Sequence, residues 1–134
     1  MTDPRETLAR IRAQADAATE GPWEHEPPPG PGEDPMRPIC VYPKEDGGTL
    51  AYVQPLEADA EFIAASRTTV PALLDALEKV LELHQPVTDG MGFTEDGYGG
   101  ISPACSSCGT SDEYAVPYPC PTVTAITTAL EATK

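Results

Sequence analysis

From Val70 to Leu81 the apolar residues Val70, Leu73, Leu74, Leu77, Val80 and Leu81 recur at i, i+3, i+4, i+7, i+10 and i+11, the stripe of a helix that turns one face to a core. His84 continues the series at i+14, so its imidazole is expected to point inward with Leu77, Val80 and Leu81, where the chain stops being helical ahead of Pro86. A polar ring held inward at a helix end needs a partner. Asp75, Glu78, Lys79 and Glu82 fall off the stripe and read as a solvated face. Upstream, a short helix is predicted from Glu57 to Ser66, burying Phe62 and Ile63, with Asp59 and Glu61 near its positive end. Thr68, Thr69 and Pro71 interrupt the pattern, the threonines offering a new N-cap and proline being tolerated in a first turn, so the helix to His84 is expected to start afresh.

The same reading predicts a first helix from Asp3, with Asp3 as cap, Pro4 at the first position and Glu6 completing a capping box. Leu8, Ile11, Ala15 and Ala18 give it a narrow buried face, and Gly21-Pro22 stops it. Trp23, the only tryptophan, reads as a core anchor at a strand entry, and His25 as exposed. The run Pro27 to Gly32 cannot supply ladder donors and reads as a loop, with a proline-rich partner motif as the weaker alternative. Pro38 to Lys44 and Thr49 to Gln54 are rich in β-formers and flank the turn Glu45-Asp46-Gly47-Gly48. With the Trp23 segment as third strand, they predict a small antiparallel sheet, since a lone hairpin is marginal in water. Cys40, within a strand, reads as a small buried hydrophobe ahead of a ligand. A last helix opens at Pro121-Thr122, with Val123, Ile126 and Leu130 on one face.

These elements make an α+β chain of 134 residues, the size of one domain, covering 1–134 with a C-terminal metal-binding portion over 84–134. Sixteen prolines and 11 glycines predict long connections. A net charge of −14, from 22 acidic against 8 basic residues, argues against direct nucleic-acid binding or an anionic membrane partner. No segment reads as a signal peptide or as a span of 18 apolar residues. The expectation is a cytoplasmic protein whose thiols stay reduced, so that a Cys-x-x-Cys reads as metal or redox chemistry.

In the Gly-rich connection from Gln85 to Ala104, Asp89, Glu95 and Asp96 could offer oxygen ligands, but Asp89 alone fits the alternation of a calcium loop, which is rejected. The cysteines carry more. Cys105-Ser106-Ser107-Cys108-Gly109 has the spacer of a zinc knuckle, in which two thiolates share an ion and the glycine permits the tight turn. Cys120, between Pro119 and Pro121, sits where a helix N-terminus favours a thiolate. With His84 inward, the expected set is a closed structural zinc site of His84, Cys105, Cys108 and Cys120. A redox dithiol, a catalytic zinc, free cysteines and a Cys-His nucleophile are the competing readings. No His-Glu pair accompanies these ligands to serve a catalytic ion.

Thr19-Glu20-Gly21-Pro22-Trp23, Asp59 to Thr68 through Val70-Pro71-Ala72-Leu73-Leu74, and Tyr118-Pro119-Cys120-Pro121-Thr122-Val123 resemble small accessory proteins of actinobacterial phages and prophages, similar in part to the ead-type early proteins. The resemblance covers most of the chain outside its two Gly- and Pro-rich loops. It implies a histidine at the end of the long helix paired with a Cys-x-x-Cys and a Pro-Cys-Pro, here His84, Cys105, Cys108 and Cys120, and an accessory role without a named activity. The functional expectation is a non-enzymatic, acidic, zinc-binding protein that binds or modulates a host protein. Phe93, Tyr98, Tyr114 and Tyr118 are the candidate docking aromatics, with mere covering of the metal site as the alternative reading. A DNA-mimic or anti-restriction protein, motivated by the charge, and a small zinc hydrolase are the alternatives. The sequence leaves oligomeric state open.

Overall fold

The structure, a computed structural model, describes residues 3–45, 47–54, 56–87, 92–94, 97–100, 103–109 and 115–132. Among them the chain order is α1 (Pro4–Ala17), β1 (Trp23–His25), β2 (Ile39–Pro43), β3 (Ala51–Val53), α2 (Glu57–Leu83), β4 (Pro86–Val87), β5 (Gly92–Thr94), β6 (Gly97–Gly100), β7 (Ala104–Gly109), β8 (Ala115–Pro117) and α3 (Pro121–Glu131). The fold is α+β, as the sequence predicts. Two compact units divide it, one of residues 1–10 with 75–134 and one of residues 11–74, so that the division falls within both α1 and α2.

In the unit of residues 11–74, β1, β2 and β3 form an antiparallel sheet in that order, with Glu24 opposite Tyr42 and Cys40 opposite Tyr52. The β2–β3 turn holds Gly47 at φ 62°, a left-handed conformation that a side chain disfavours. Ile39 and Val41 are buried with Ala60 and Ala64 of α2, and Trp23, Ala51, Val53 and Ile63 pack against them. Trp23 thus serves as the expected core anchor, its Nε1 donating to the Thr19 carbonyl at 3.1 Å. His25 is half-buried rather than exposed, with Nδ1 2.8 Å from the Glu26 carbonyl oxygen. Cys40 departs from expectation because strand parity turns it away from the core. Ile39, Val41 and Pro43 are buried while Cys40 and Tyr42 are only half-buried, and Cys40 donates to Thr49 Oγ1 at 3.3 Å.

Arg67 braces this unit. Its Nη1 donates to the Ala15 carbonyl at 2.7 Å, and its guanidinium lies 6.0 Å from the centroid of the Trp23 ring. Its stem runs so close to Gly21 that a Cβ there would stand 2.6 Å from Arg67 Cγ. A Gly21→Ala variant is therefore expected to lose about 1–3 kcal/mol of stability. Gly48→Ala, where an added Cβ meets nothing within 4 Å, should stay within about 0.5 kcal/mol of wild type, and denaturant titration of both variants checks the pair.

Two corrections concern α2. It runs unbroken for 27 residues with Pro71 inside, where two helices are expected from sequence. Proline removes one helical hydrogen bond, to the carbonyl four residues back, whereas buried Ala60 and Ala64 before it and buried Leu74 after it anchor the helix on both sides of the proline. Its inward face is also set differently from the predicted stripe. Ala60, Ile63, Ala64, Leu74, Leu77 and Leu81 turn in, while Val70 and Leu73 are 37% and 59% exposed and Phe62, expected in the core, is 76% exposed.

In the other unit, Asp3 caps α1 by accepting the Arg5 N–H at 2.9 Å, and Thr7 and Leu8 are buried. A second antiparallel sheet, ordered β4-β7-β8, runs through the stretch read from sequence as connection and knuckle, and β5 pairs with β6 as a hairpin. Leu81, Ala104, Cys105, Cys120 and Val123 are buried there. No helix among the described residues is long and apolar enough to cross a membrane.

Candidate metal centre

The site forms where α2 ends. His84 follows the last helical residue and donates its N–H to the Leu81 carbonyl at 3.2 Å, in a final tightened turn. From there β4 pairs with β7, setting Pro86 opposite Cys105. The Ser106 N–H donates to the Gln85 carbonyl at 2.8 Å, and the Gln85 N–H to Ser106 Oγ at 2.9 Å. Both knuckle cysteines therefore lie on a hydrogen-bonded strand rather than in a free loop. The spacer serines have a task as well. Ser106 Oγ donates to the Leu83 carbonyl at 2.9 Å and Ser107 Oγ donates to the same oxygen, satisfying an acceptor that the helix end leaves unpaired.

Cys120 arrives from the opposite direction as the N-cap of α3, with Pro121 at the first helical position. The Tyr118 N–H donates to the Pro103 carbonyl at 2.8 Å, and β8 pairs with β7, so the chain leading to Cys120 is tied to the strand that carries the knuckle.

These connections bring His84 Nδ1 within 3.3 Å of Cys105 Sγ, 3.3 Å of Cys108 Sγ and 3.5 Å of Cys120 Sγ. All four ligand atoms lie within 4.8 Å of one another, Cys105 and Cys120 buried and His84 and Cys108 half-buried. A tetrahedral ion bonded to sulfur at about 2.3 Å and to nitrogen at about 2.0–2.1 Å holds such donors about 3.6 Å apart. The spacing thus suits a single ion. His84 offers Nδ1 to it, leaving Nε2 for an outer partner. No disulfide joins these thiols, all four cysteines being free. Cys40 stands outside the cluster.

The thiols do not titrate alike. Burial, which opposes a thiolate, is outweighed at Cys120 by the N–H of Val123, the thiols of Cys105 and Cys108 and the N–H of Thr122, which bring it down to about 7. This is the helix N-terminus acting as the sequence predicts. At Cys108, desolvation first, then the neighbouring sulfurs of Cys120 and Cys105, push the thiol up to about 12. Three thiols crowded on one point repel as thiolates until a cation joins them, so the arrangement favours a bound ion over four unliganded side chains.

The sequence reading singles out all four residues of this cluster but misses Arg5, Ser106 and Ser107. Arg5 Nη2 donates to the carbonyls of Leu81 and His84 at 2.8 and 3.2 Å, and Nη1 to Tyr118 Oη at 2.8 Å. The only advance signal is that Arg5 shares a helix side with Leu8, three residues on. Of the remaining candidates, Asp89, Glu95, Asp96 and Tyr114 lie outside the described residues, as do the side chains of Phe93 and Tyr98. Tyr118 is half-buried and engaged by Arg5. No protein family matches the chain, and neither a characterised protein nor a solved structure is detectably similar to it.

Proposed function

We propose that the chain is a small acidic zinc protein that works by holding a partner rather than by catalysis, with His84, Cys105, Cys108 and Cys120 binding the ion as a structural centre. The observation that carries this reading is the convergence of one imidazole and three thiols with their ligand atoms within 4.8 Å. Sulfur-rich donors select zinc over magnesium or calcium, which take oxygen. Four protein donors fill a tetrahedral shell, leaving no position for the water whose lowered pKa would drive hydrolysis. The proposed setting is the reducing cytoplasm of a bacterial host, and the proposed origin is a phage or prophage. The motif resemblance supports that origin, and thiols free of disulfides suit that compartment.

Partner binding is supported by the outer side of α2. Phe62 and Leu73, eleven positions apart and hence on the same side of the helix, are 76% and 59% exposed, in a chain otherwise rich in surface charge. This exposed pair supports α2 as the docking face.

Cobalt(II) in place of zinc tests the non-catalytic half, because its visible bands report coordination. A closed set of one nitrogen and three sulfurs should give tetrahedral bands that added cyanide or azide leaves unmoved. Bands that shift with either anion would reveal an open position and defeat the reading. For the binding half, a Phe62→Ser/Leu73→Ser variant should keep its zinc and lose the host protein that wild type captures. Capture that survives the double substitution rules out this face.

A further inference from the structure

We propose that Arg5 is an outer positioning residue of the metal centre, so that the first turn of α1 sets how tightly the ion is held. The inference rests on reading the four-residue cluster as a metal site and concerns a residue that touches none of the ligand atoms. One guanidinium reaches three acceptors. Nη2 serves the carbonyls of Leu81 and His84, and Nη1 serves the hydroxyl of Tyr118. The first two belong to the end of α2, where carbonyls lose their helical partners and the helix dipole is negative. The third belongs to the residue two before Cys120.

Arg5 therefore grips the backbone of one ligand and the approach to another. His84 can present Nδ1 to the three sulfurs only while its main chain keeps its place, and the Arg5 bond to its carbonyl is one of the bonds that fix it. Asp3 in turn accepts the Arg5 N–H at 2.9 Å and has Oδ1 3.8 Å from Nη1, so capping of α1 and orientation of the guanidinium are linked.

Charge supports the same role. Three thiolates and one imidazole around a dication leave one net negative charge, which a nearby guanidinium stabilises. The chain has only 8 basic residues against 22 acidic ones, and this one, with Asp3 Oδ1 3.8 Å from Nη1, still directs its hydrogen bonds to neutral oxygens beside the cluster. Lysine cannot replace it, because a point charge with one flexible nitrogen does not span acceptors on two segments as a planar fork does.

The test is zinc affinity of the full chain, measured by competition with a chromophoric chelator, together with the cobalt spectrum. Arg5→Gln should bind zinc about 10–100-fold more weakly, as is typical when an outer partner of a ligand is lost. Arg5→Lys should recover only part of that loss, and Tyr118→Phe, which removes one of the three acceptors, should lose less than Arg5→Gln. Arg10→Gln, an exposed change on the same helix, should match wild type. The cobalt bands of the Arg5 variants should shift or broaden as His84 loses its fixed position. A lower melting temperature with unchanged affinity and unchanged bands would make Arg5 a helix cap and nothing more, overturning the proposal. If Arg5→Gln does not fold, Arg5→Lys decides it by the same criteria. Absence of zinc binding by wild type would overturn the metal centre itself, an outcome distinct from normal binding by the Arg5 variants.

Discussion

Cys108→Ser should reduce bound zinc from about one ion per chain to almost none, while Cys40→Ser keeps the full complement. Cys108 Sγ lies 3.3 Å from His84 Nδ1, whereas Cys40 is on the strand Ile39–Pro43, hydrogen-bonded to Thr49. Removing a thiolate from the shell deletes a ligand outright, so the loss should exceed the roughly 10–100-fold expected for an outer partner. Elemental analysis of the two purified variants checks it: retained metal in Cys108→Ser, or lost metal in Cys40→Ser, would sink the assignment.

The same site fixes how binding depends on pH. A thiol binds the ion only after losing its proton. Cys108, pushed up to about 12 by burial and its sulfur neighbours, must give up a proton at any ordinary pH. Cys120, held near 7, gives one up only below that point. Affinity should therefore rise with pH throughout, and its logarithmic slope should steepen by about one as pH falls below 7. For the metal-free fold the two cysteines act oppositely. Cys120, lowered from 9.0, adds stability that is present above its unfolded value and lost as pH falls through about 7. Cys108, raised from 9.0, adds stability that is present below that value and lost as pH rises toward 12.

Much of this centre was legible in the sequence because its chemistry is written in short spacings. A two-residue gap between Cys105 and Cys108, and a cysteine placed ahead of Pro121 at a helix start, are local signals that tertiary context seldom reverses. The first sheet was legible for a similar reason. The β-formers Ile39, Val41 and Tyr42 and a Gly-Gly turn state a strand and its partner. The burial alternation that turns Cys40 to the other face is not written in a run where every residue is apolar, so the residue's general preference for burial misplaced it.

Failures occur where a local rule meets a larger force. Pro71 is a helix breaker by its own chemistry, yet buried residues on either side keep α2 continuous. Phe62 and Leu73 are apolar, and apolar residues are assigned inward by default, but a helix with apolar side chains on more than one side does not declare which side the core takes. The second sheet was hidden because glycines and serines carry little strand propensity. It is held by backbone pairing and by the Ser106 bonds to the end of α2. Arg5 was invisible because an arginine's partners lie far off in sequence, at Leu81, His84 and Tyr118.

Chelation should unfold one unit and spare the other. In the unit of residues 1–10 and 75–134, two of the buried side chains, Cys105 and Cys120, belong to the candidate metal cluster, so removing a bound ion would leave crowded thiols in place of a bonded centre. The unit of residues 11–74 has a core of Ile39, Val41, Ala60 and Ala64, covered by Trp23, Ala51, Val53 and Ile63, with no ligand among them. When an ion binds only the folded form, its binding free energy stabilises the fold, and free zinc at 1,000 times its dissociation constant contributes about 4 kcal/mol, or about a thousandfold in amide protection. That amount is comparable to the whole stability of a small core. Hydrogen exchange with and without a strong chelator should therefore show protection falling by about that factor in Ala104–Gly109, in Pro121–Glu131 and in the first turns of the N-terminal helix. Ile39–Pro43 and the segment Glu57 to Leu74 should keep theirs. Restoring zinc should return the pattern, and the Cys108→Ser variant should show the chelated pattern without chelator. Uniform loss across both units, or no change in either, would show that the ion does not hold the fold in this way.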